Sequence, residues 1–408
     1  MSLLRNDSMQ NTTDQLLAVF KKELQDELQN ILRYWSDITP DNENGGFYGK
    51  IDNGNRVTAG APKGAVLNAR ILWSFSAAFN HAPQHLYRAM ADRAYQYLTD
   101  HFADNEYGGV YWQLDYAGKP LDTKKQVYAI AFTIYALGEY YRATKIEAVK
   151  QQAISLFNLL EEKAYDPVHT GYFEAFTKDW KPIDDLRLSA KDENEKKTMN
   201  THLHVLEAYT SLYGIWPDEK PAQQIRLLLA NFSDHFIEEK SGHLRLFFDE
   251  NWNSKSGLIS YGHDIEASWL LLEAARAIGD ETLIAQVENI AIPVAEATIQ
   301  ALDTDGGLFY EYDADSDRLI DEKHWWVQAE AMVGFFNAWE VSGDRRYLDI
   351  ALRNWEFIKE KILDKENGEW FWGIGADGKV MQHEDKAGFW KCPYHNSRAC
   401  LEIIKRIG

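Results

Sequence analysis

Histidine and glutamate side chains that could move protons recur near the starts of predicted helices. His204 precedes Glu207, and His263 precedes Glu266, by three residues in each case, which places imidazole and carboxylate on one helical face. An imidazole titrates near neutral pH, so these residues suit reversible proton transfer. Alternatively, Glu266 orients His263 or holds a substrate hydroxyl, and we expect Glu207 to pack or pair locally.

The same spacing could supply half of a metal site, because imidazole and carboxylate ligands so arranged bind iron or manganese in helical bundles. The chain offers no cysteine ligand set and no third helix with this spacing, so the sequence favours proton transfer without a metal. It also lacks the GxSxG, GxxxxGKS/T and post-strand GxGxxG motifs of acyl-serine, phosphate-loop and Rossmann chemistry. A glycosidase, which needs only two suitably separated carboxylates, and a noncatalytic sugar-binding protein remain alternatives.

The other candidate residues also lie at helix starts that directly follow a glycine-aromatic segment. A single histidine there is more often a packing residue, but five of the twelve histidines share this location. Ligand pockets need a few polar groups among apolar walls, and flat tryptophan rings suit the apolar faces of sugars. The candidates at these starts are Arg70, Gln126, Tyr128, Asn200, His202, His204, His263, Glu266, His324, Trp325, Trp326, Trp390 and His395.

Six repeated segments separate the predicted helices, starting at Gly45, Gly108, Gly171, Gly242, Gly306 and Gly368. Each reads as a strand entering a tight turn, and the spacing of about 60 to 70 residues leaves room for two helices per repeat. Apolar periodicity places the helices, in pairs with one loop inside each pair, at 12–35 and 64–80, 85–102 and 126–143, 147–163 and 199–214, 220–238 and 263–278, 281–301 and 324–341, and 346–362 and 395–407.

Six helical hairpins predict an all-α protein with a closed (α/α)6 barrel, short β-hairpin loops at the mouth, and one domain over residues 1–408. An open superhelix of paired helices would need polar capping repeats, which the sequence does not clearly contain. If the second helix of each pair belongs to an inner ring, the candidate side chains converge on one mouth of a central cavity.

Composition restricts the partners of this chain of 408 residues. Its 63 acidic and 43 basic residues give a net charge of -20, which disfavours nucleic acid and anionic membranes. The longest apolar stretch, Ala129 to Leu137, is too short to span a bilayer, and residues 1–15 contain no leader of signal-peptide type. Cys392 and Cys400 would lie about 12 Å apart on a helix, too far for a disulfide, so we expect a cytoplasmic protein.

The segments NTHLHVLEAY, HDIEASWLL, WWVQAEA and FWKCPYHNSRA together resemble the N-acylglucosamine 2-epimerase superfamily, and most closely its cellobiose 2-epimerases, from about Leu16 to the end. The resemblance implies an (α/α)6 barrel without metal or nucleotide cofactor. It implies an isomerase that interconverts glucose and mannose at the reducing end of β-1,4-linked disaccharides through a cis-enediolate. Within the superfamily, an N-acetylglucosamine 2-epimerase and a mannose or glucose aldose-ketose isomerase are alternatives. We expect a disaccharide ligand and a monomer or weak homodimer.

The resemblance also implies roles for single residues. The HDIE motif makes His263 an acid/base residue, and the terminal WxxxxH motif makes His395 the second and places Trp390 on the sugar. Arg70 matches an arginine near the sugar carbonyl, and His204 a supporting polar contact that we count with the catalytic residues. The remaining implied substrate contacts are Tyr128, Asp192, Asn200, Glu266, Trp325 and Trp326, of which the two tryptophans compete for one stacking role.

Overall fold

A computed structural model describes the backbone of residues 2–408 and the side chains of residues 13–408. The prediction that residues 1–15 carry no leader falls mainly outside the described side chains. The described chain forms twelve α-helices: α1 (Ser2–Asp37), α2 (Ala65–His81), α3 (His85–Tyr97), α4 (Val127–Thr144), α5 (Glu147–Lys163), α6 (Met199–Tyr213), α7 (Glu219–Asn231), α8 (Tyr261–Ile278), α9 (Glu281–Thr298), α10 (Trp325–Ser342), α11 (Arg345–Phe357) and α12 (Tyr394–Ile407). The predicted bounds are close for most of them, but α1 begins ten residues earlier than predicted, and α3, α7, α9 and α11 end three to seven residues earlier.

The even-numbered helices form a closed inner ring. Each packs against the next one in sequence, and α12 packs against α2, so the predicted (α/α)6 barrel is confirmed. Inner helices are buried on nearly every side, as α2 illustrates with an unbroken buried run from Ala65 to Ala78. Outer helices are amphipathic: α11 buries Tyr347, Leu348, Ala351 and Trp355, which share one face at helical spacing.

The pairing of inner with outer helices differs from the prediction. The sequence paired each inner helix with the outer helix before it, whereas the structure pairs it with the outer helix after it. Of the outer helices, each inner helix packs mainly against the one that follows it, for example α2 against α3 and α8 against α9. The connections within these pairs are short, because antiparallel neighbours need only a few residues to turn. The glycine-aromatic segments instead join an outer helix to the next inner helix. The first helix, α1, has no inner helix before it, and it packs against α12.

Short strands join neighbouring loops around the mouth. The strand before each of five inner helices pairs antiparallel with a strand of the following glycine-aromatic segment, as β1–β2, β4–β5, β6–β7, β8–β9 and β11–β12. A bridge between Ile51 and Ala387 completes the circle. The strands are β1 (Lys63–Gly64), β2 (Gln113–Leu114), β3 (Pro120–Asp122), β4 (Lys125–Gln126), β5 (Ala175–Phe176), β6 (Lys197–Thr198), β7 (Phe247–Phe248), β8 (Leu258–Ser260), β9 (Glu311–Asp313), β10 (Arg318–Ile320), β11 (Lys323–His324) and β12 (Gly373–Ile374).

A lysine close to the start of an inner helix binds an aspartate at the start of the preceding loop in five of the six repeats. These lysines are buried and their ammonium groups meet the carboxylates within hydrogen-bond distance, which fixes the loop against the helix. In the remaining repeat, Nδ1 of His243 lies 2.7 Å from Asp264 Oδ2. The pairs are Lys63–Asp41, Lys125–Asp104, Lys197–Asp166, Lys323–Asp303 and Lys386–Asp364.

Both cysteines, Cys392 and Cys400, are free and buried, as predicted, although Cys392 precedes α12 instead of lying in it. Within the described part of the chain, no helix combines the length and the apolar character needed to cross a bilayer.

Removal of one buried ammonium group should destabilise the barrel strongly. Lys125 and Asp104 have 0% exposed side chains and lie 2.6 Å apart, so Lys125→Met leaves a buried unpaired carboxylate and should cost about 3–5 kcal/mol of unfolding free energy. The exposed pair Lys178–Glu106 is the control, and Lys178→Met should leave the midpoint of urea unfolding nearly unchanged, because exposed ion pairs contribute little to stability. Urea unfolding measures both, and equal losses would contradict a structural role for the buried pair.

Candidate active site

A cavity of about 670 Å³ lies at the end of the barrel where the inner helices begin. This is the volume range of small-molecule pockets. Every inner helix contributes to its wall, so the predicted convergence is observed. All eleven residues that the sequence assigned to a site line it: Arg70, Tyr128, Asp192, Asn200, His204, His263, Glu266, Trp325, Trp326, Trp390 and His395.

Two other residues from the helix starts support the cavity without lining it. His202 is fully buried, and Tyr172 donates its backbone N–H to Nε2 while Nδ1 faces the Thr198 carbonyl oxygen. Both ring nitrogens are therefore committed to the fold, and burial lowers the pKa of His202 to about 3. Gln126 donates its side-chain N–H groups to two carbonyl oxygens of the loop before α6, and so holds the loop beside the cavity.

His395 is held by a carboxylate from the neighbouring inner helix. Its Nδ1 lies 2.6 Å from Oε1 of Glu330 on α10. An ionised carboxylate accepts a hydrogen bond from the Nδ1–H group, so the proton stays on Nδ1 and Nε2 keeps its lone pair. Burial, together with the positive charges of Arg70 and Arg398, lowers the pKa of His395 well below its usual value. At neutral pH the ring is uncharged and able to accept a proton.

His263 is held by a serine and not by Glu266, whose orientation of this ring was one of the two alternatives from the sequence. Its Nδ1 lies 2.8 Å from Oγ of Ser260, the last residue of β8. A hydroxyl can donate or accept, so this contact permits either tautomer and lets the ring act as acid or base. Burial, followed by nearby positive groups that include His204 and Lys191, lowers the pKa of His263 well below its usual value.

The ring of Trp326 lies between these two histidines. Its centroid is 4.8 Å from that of His263 and 5.7 Å from that of His395. Trp325 is 2% exposed, and its ring centroid lies 4.5 Å from that of Trp372, a residue that also lines the cavity. The geometry therefore favours Trp326 for the stacking role and leaves Trp325 mainly as its support.

Arg70 brings a positive charge to the cavity without a direct counter-ion. It is 2% exposed, and its Nη2 donates to the hydroxyl of Tyr128 at 2.8 Å. Its guanidinium lies 4.2 Å from the ring centroid of Phe132. Among the described residues, no carboxylate oxygen lies within 4.0 Å of it. Because this side chain is buried, its charge can act strongly on an anion that forms nearby.

His204 and Glu207 form the predicted local pair, with Nδ1 2.9 Å from Oε2. The prediction was incomplete, because Glu207 also accepts hydrogen bonds from the Tyr394 hydroxyl and from Arg398, both on α12. Burial alone would raise the pKa of Glu207, but the Arg398 charge and these hydrogen bonds lower it to about 2. Glu207 is thus ionised, which favours a proton on Nδ1 of His204.

Glu330 and Arg398 were not predicted as site residues. Each lies one helical turn further along its helix than a predicted residue: Glu330 follows Trp326 by four positions, and Arg398 follows His395 by three. Both are charged residues within fully buried stretches of their helices, where an unpaired charge is very costly. That feature of the sequence is the signal that could have identified them.

One group of described residues, Glu266, Glu330 and His395, brings possible metal-ligand atoms within 4.8 Å of one another. Nη2 of Arg398 lies 2.6 Å from Glu266 Oε1 and 2.7 Å from Glu330 Oε1. A divalent cation at this place would face the guanidinium at close range in a buried site, which is electrostatically unfavourable. We assign no metal to the group, and a metal-free reaction stays a prediction.

The loop before α6 forms one wall of the mouth. Asp192 accepts two hydrogen bonds from Ser189 within this loop, each at 2.9 Å, through Oδ2. Lys191 donates to the Tyr310 hydroxyl and lies 3.2 Å from Glu311, which ties the loop to β9. The outer cavity is consequently polar, whereas tryptophan and histidine rings surround its inner part.

Known proteins resemble this chain along nearly its whole length. The sequence profile of the N-acylglucosamine 2-epimerase (GlcNAc 2-epimerase) family matches residues 46–399. The cellobiose 2-epimerase of Bacteroides fragilis is 50% identical over 387 residues, which cover 95% of this chain and 99% of that protein. The cellobiose 2-epimerase of Ruminococcus albus is 39% identical, with 96% and 99% covered. The solved structure of the cellobiose 2-epimerase from Bacillus thermoamylovorans matches with a TM-score of 0.91 and 40% identity over 95% of this chain and 100% of that one.

His263 and His395 should remain uncharged well below pH 6.5. Burial and neighbouring positive groups lower the pKa of His263 and of His395, so their neutral forms persist to lower pH than in a free imidazole. NMR titration of ¹⁵N-histidine-labelled protein measures this, with signals assigned by single substitutions. In urea, the same rings should titrate near pH 6.5. Protonation of either ring near pH 6.5 in the folded protein would refute this expectation.

Proposed function

The chain belongs to the N-acylglucosamine 2-epimerase family, and on that premise we propose that it is a cellobiose 2-epimerase. It is an isomerase that inverts C2 of the reducing-end glucose in β-1,4-linked disaccharides, converting cellobiose to glucosyl-mannose and lactose to epilactose. The observation that carries the proposal is the pair of neutral histidines, His263 and His395, on either side of Trp326 in a cavity that also holds the unpaired charge of Arg70.

Ring opening comes first, because the C2 hydrogen of a closed sugar is not acidic. A base takes the O1 proton and an acid protonates the ring oxygen, so the bond from C1 to the ring oxygen breaks and the C1 carbonyl forms. His395, with Nδ1 bound to Glu330, suits the base, since its Nε2 keeps a lone pair. When Nδ1 of His263 accepts from Ser260, its Nε2–H group can donate a hydrogen bond to the ring oxygen. The proton that His395 takes from O1 passes to that oxygen, so both histidines end the step neutral.

Epimerisation follows at the open-chain aldehyde. A neutral histidine takes the C2 proton, and the electron pair forms the C1–C2 double bond of a cis-enediolate, with negative charge on O1. Arg70 is the buried cation that stabilises this charge, assisted by the hydroxyl of Tyr128. Return of a proton to the opposite face of C2 restores the carbonyl and gives the epimer. One histidine can serve both faces of C2 after a bond rotation, or one histidine can serve each face. The protons balance in either case.

The remaining site residues bind the sugar in this proposal. Trp326 and Trp390 stack on sugar faces, and Trp325 supports Trp326. Asn200 has a buried side-chain oxygen, Oδ1, without a protein partner, which a sugar hydroxyl would satisfy. Glu266 has the same feature at Oε2, and burial raises its pKa well above the usual value, so it donates a hydrogen bond as a neutral acid. His204 and Asp192 complete the polar contacts.

We also infer that residues 1–408 form one catalytic domain, since α1 packs on α12 and α12 on α2. A monomer or weak homodimer in the cytoplasm, acting without cofactor, agrees with the acidic composition and the two free thiols.

Cellobiose should be converted without added metal. EDTA-treated protein incubated with cellobiose in D₂O should give glucosyl-mannose with deuterium at C2, because C2 exchanges its proton with a base in contact with solvent. NMR of the reducing-end signals measures this. Free glucose would identify a glycosidase, and conversion of N-acetylglucosamine or mannose without conversion of cellobiose would move the protein to a sister activity.

Either acid/base histidine should be needed for turnover. His263→Ala and His395→Ala should each lower kcat by about 10² to 10⁴, the usual contribution of a general acid or base. His383→Ala is the control, because that side chain is 75% exposed and lies outside the cavity. Steady-state kinetics with cellobiose measure the effect, and a kcat within twofold of wild type in His395→Ala would refute the assignment.

A further inference from the structure

Arg398 joins side chains from four of the six inner helices. It lies on α12 and is 1% exposed. Its Nη1 donates to Glu207 of α6 and to the hydroxyl of Tyr394. Its Nη2 donates to Glu266 of α8 at 2.6 Å and to Glu330 of α10 at 2.7 Å. The guanidinium also stacks at 4.3 Å from the Tyr394 ring centroid. It therefore lies directly behind the cavity, where three carboxylates meet.

Two of these carboxylates are the partners of cavity histidines. Glu207 contacts Nδ1 of His204 at 2.9 Å, and Glu330 contacts Nδ1 of His395 at 2.6 Å. An ionised carboxylate only accepts, so each ring must carry its proton on Nδ1. A protonated carboxyl group can instead donate to Nδ1, which moves the ring proton to Nε2 and removes the lone pair there. The charge state of the two glutamates thus sets which form of each ring is presented to the cavity.

Three buried carboxylates cannot all stay ionised beside one guanidinium without further compensation. Glu266 is the one whose second oxygen has no partner, and it can hold the proton there. Burial raises the pKa of Glu330, and the charge of Arg398 with hydrogen bonds from Arg398 and from the Trp269 indole opposes that rise. With the proton on Glu266, the negative charges are left on Glu207 and Glu330. This division of charge depends on a fork-shaped cation that reaches all three groups, which lysine cannot reproduce.

We propose that Arg398 is a positioning residue that keeps Glu207 and Glu330 ionised and so fixes His204 and His395 together in the tautomer with the proton on Nδ1. Arg398 does not line the cavity. It acts on the reaction through two histidines that stand on different helices. The effect of Arg398 on catalysis rests on the proposed function, whereas the tautomers of the two histidines do not depend on any substrate.

The tautomers can be measured directly. Long-range ¹H–¹⁵N correlation spectra of ¹⁵N-histidine-labelled protein distinguish a proton on Nδ1 from one on Nε2. Wild-type protein should have Nδ1–H in both His204 and His395, and Arg398→Met should move the proton to Nε2 in both rings. Arg398→Lys, which keeps one positive charge, should leave at least one ring in a mixture of the two forms. It is the second variant if Arg398→Met does not fold.

Arg406→Met is the matched control. Arg406 lies on the same helix and binds Glu340 of α10 at 2.7 Å, but it touches none of the three carboxylates. It should leave both tautomers unchanged, so loss of an ion pair between α12 and α10 is separated from loss of the guanidinium behind the cavity. Nε2–H rings in the wild type, or Nδ1–H rings retained in both Arg398 variants, would overturn the proposal.

Kinetics give a second readout. In the foldable Arg398 variant, kcat for cellobiose should fall about 10²-fold or more, as for loss of a general base, while KM changes less than about threefold because Arg398 does not contact the sugar. Equal losses in the Arg406 control would indicate a merely structural role. If wild-type protein does not convert cellobiose, the proposed function fails, and the tautomer spectra alone decide on Arg398.

Discussion

Closure of the inner ring is the constraint on which the site depends. Arg70 on α2 and His395 on α12 lie far apart in sequence, and they line one cavity only because α12 packs beside α2. The starts of all six inner helices must also lie at the same height along the barrel axis. The paired strands between successive loops and the buried ammonium–carboxylate pairs fix this height around the barrel. The barrel therefore positions its reactive side chains through helix starts, which are rigid, and not through long loops.

Much of this arrangement could be predicted from the sequence. The six glycine-aromatic segments and the apolar periodicity between them predict twelve helices and a closed ring, because both signals are local and repeat. The cavity residues could be found for the same reason, since His204, His263 and His395 occupy equivalent helix starts. The packing partner of each outer helix could not, because a helix with one apolar face fits either neighbour. Only the short connections, such as that between α2 and α3, favour the following helix.

The contacts between charged groups were also beyond the sequence. Ser260 instead of Glu266 holds His263, since three residues of spacing permit a contact without requiring it. The lysines of the repeats, such as Lys63 and Lys125, were not singled out from the sequence, yet each is buried against an aspartate twenty or more residues earlier. The partners of Glu330 and Arg398 come from different helices, so their meeting depends on the tertiary fold alone.

The two buried arginines illustrate how one side-chain type serves two purposes. Arg70 has aromatic neighbours and no carboxylate within ion-pair distance among the described residues, which leaves its charge available to a reacting anion. Arg398 is surrounded by carboxylates, which neutralise its charge and are held in place by it. The ring of Tyr394 lies close to both guanidinium groups, with its centroid 4.9 Å from that of Arg70 and 4.3 Å from that of Arg398.

The packing of α1 on α12 has a consequence for how the chain is made. Because α1 is the outer helix for α12, the first helix of the described chain leaves the ribosome long before its partner exists. Its apolar face, which includes Phe20, Leu24 and Ile31, lacks its α12 partner until the whole ring has been synthesised. The contact between α1 and α12 therefore joins segments that are synthesised at very different times, and such long-range contacts form slowly. During translation, this unsatisfied helix is the surface that a chaperone would find exposed.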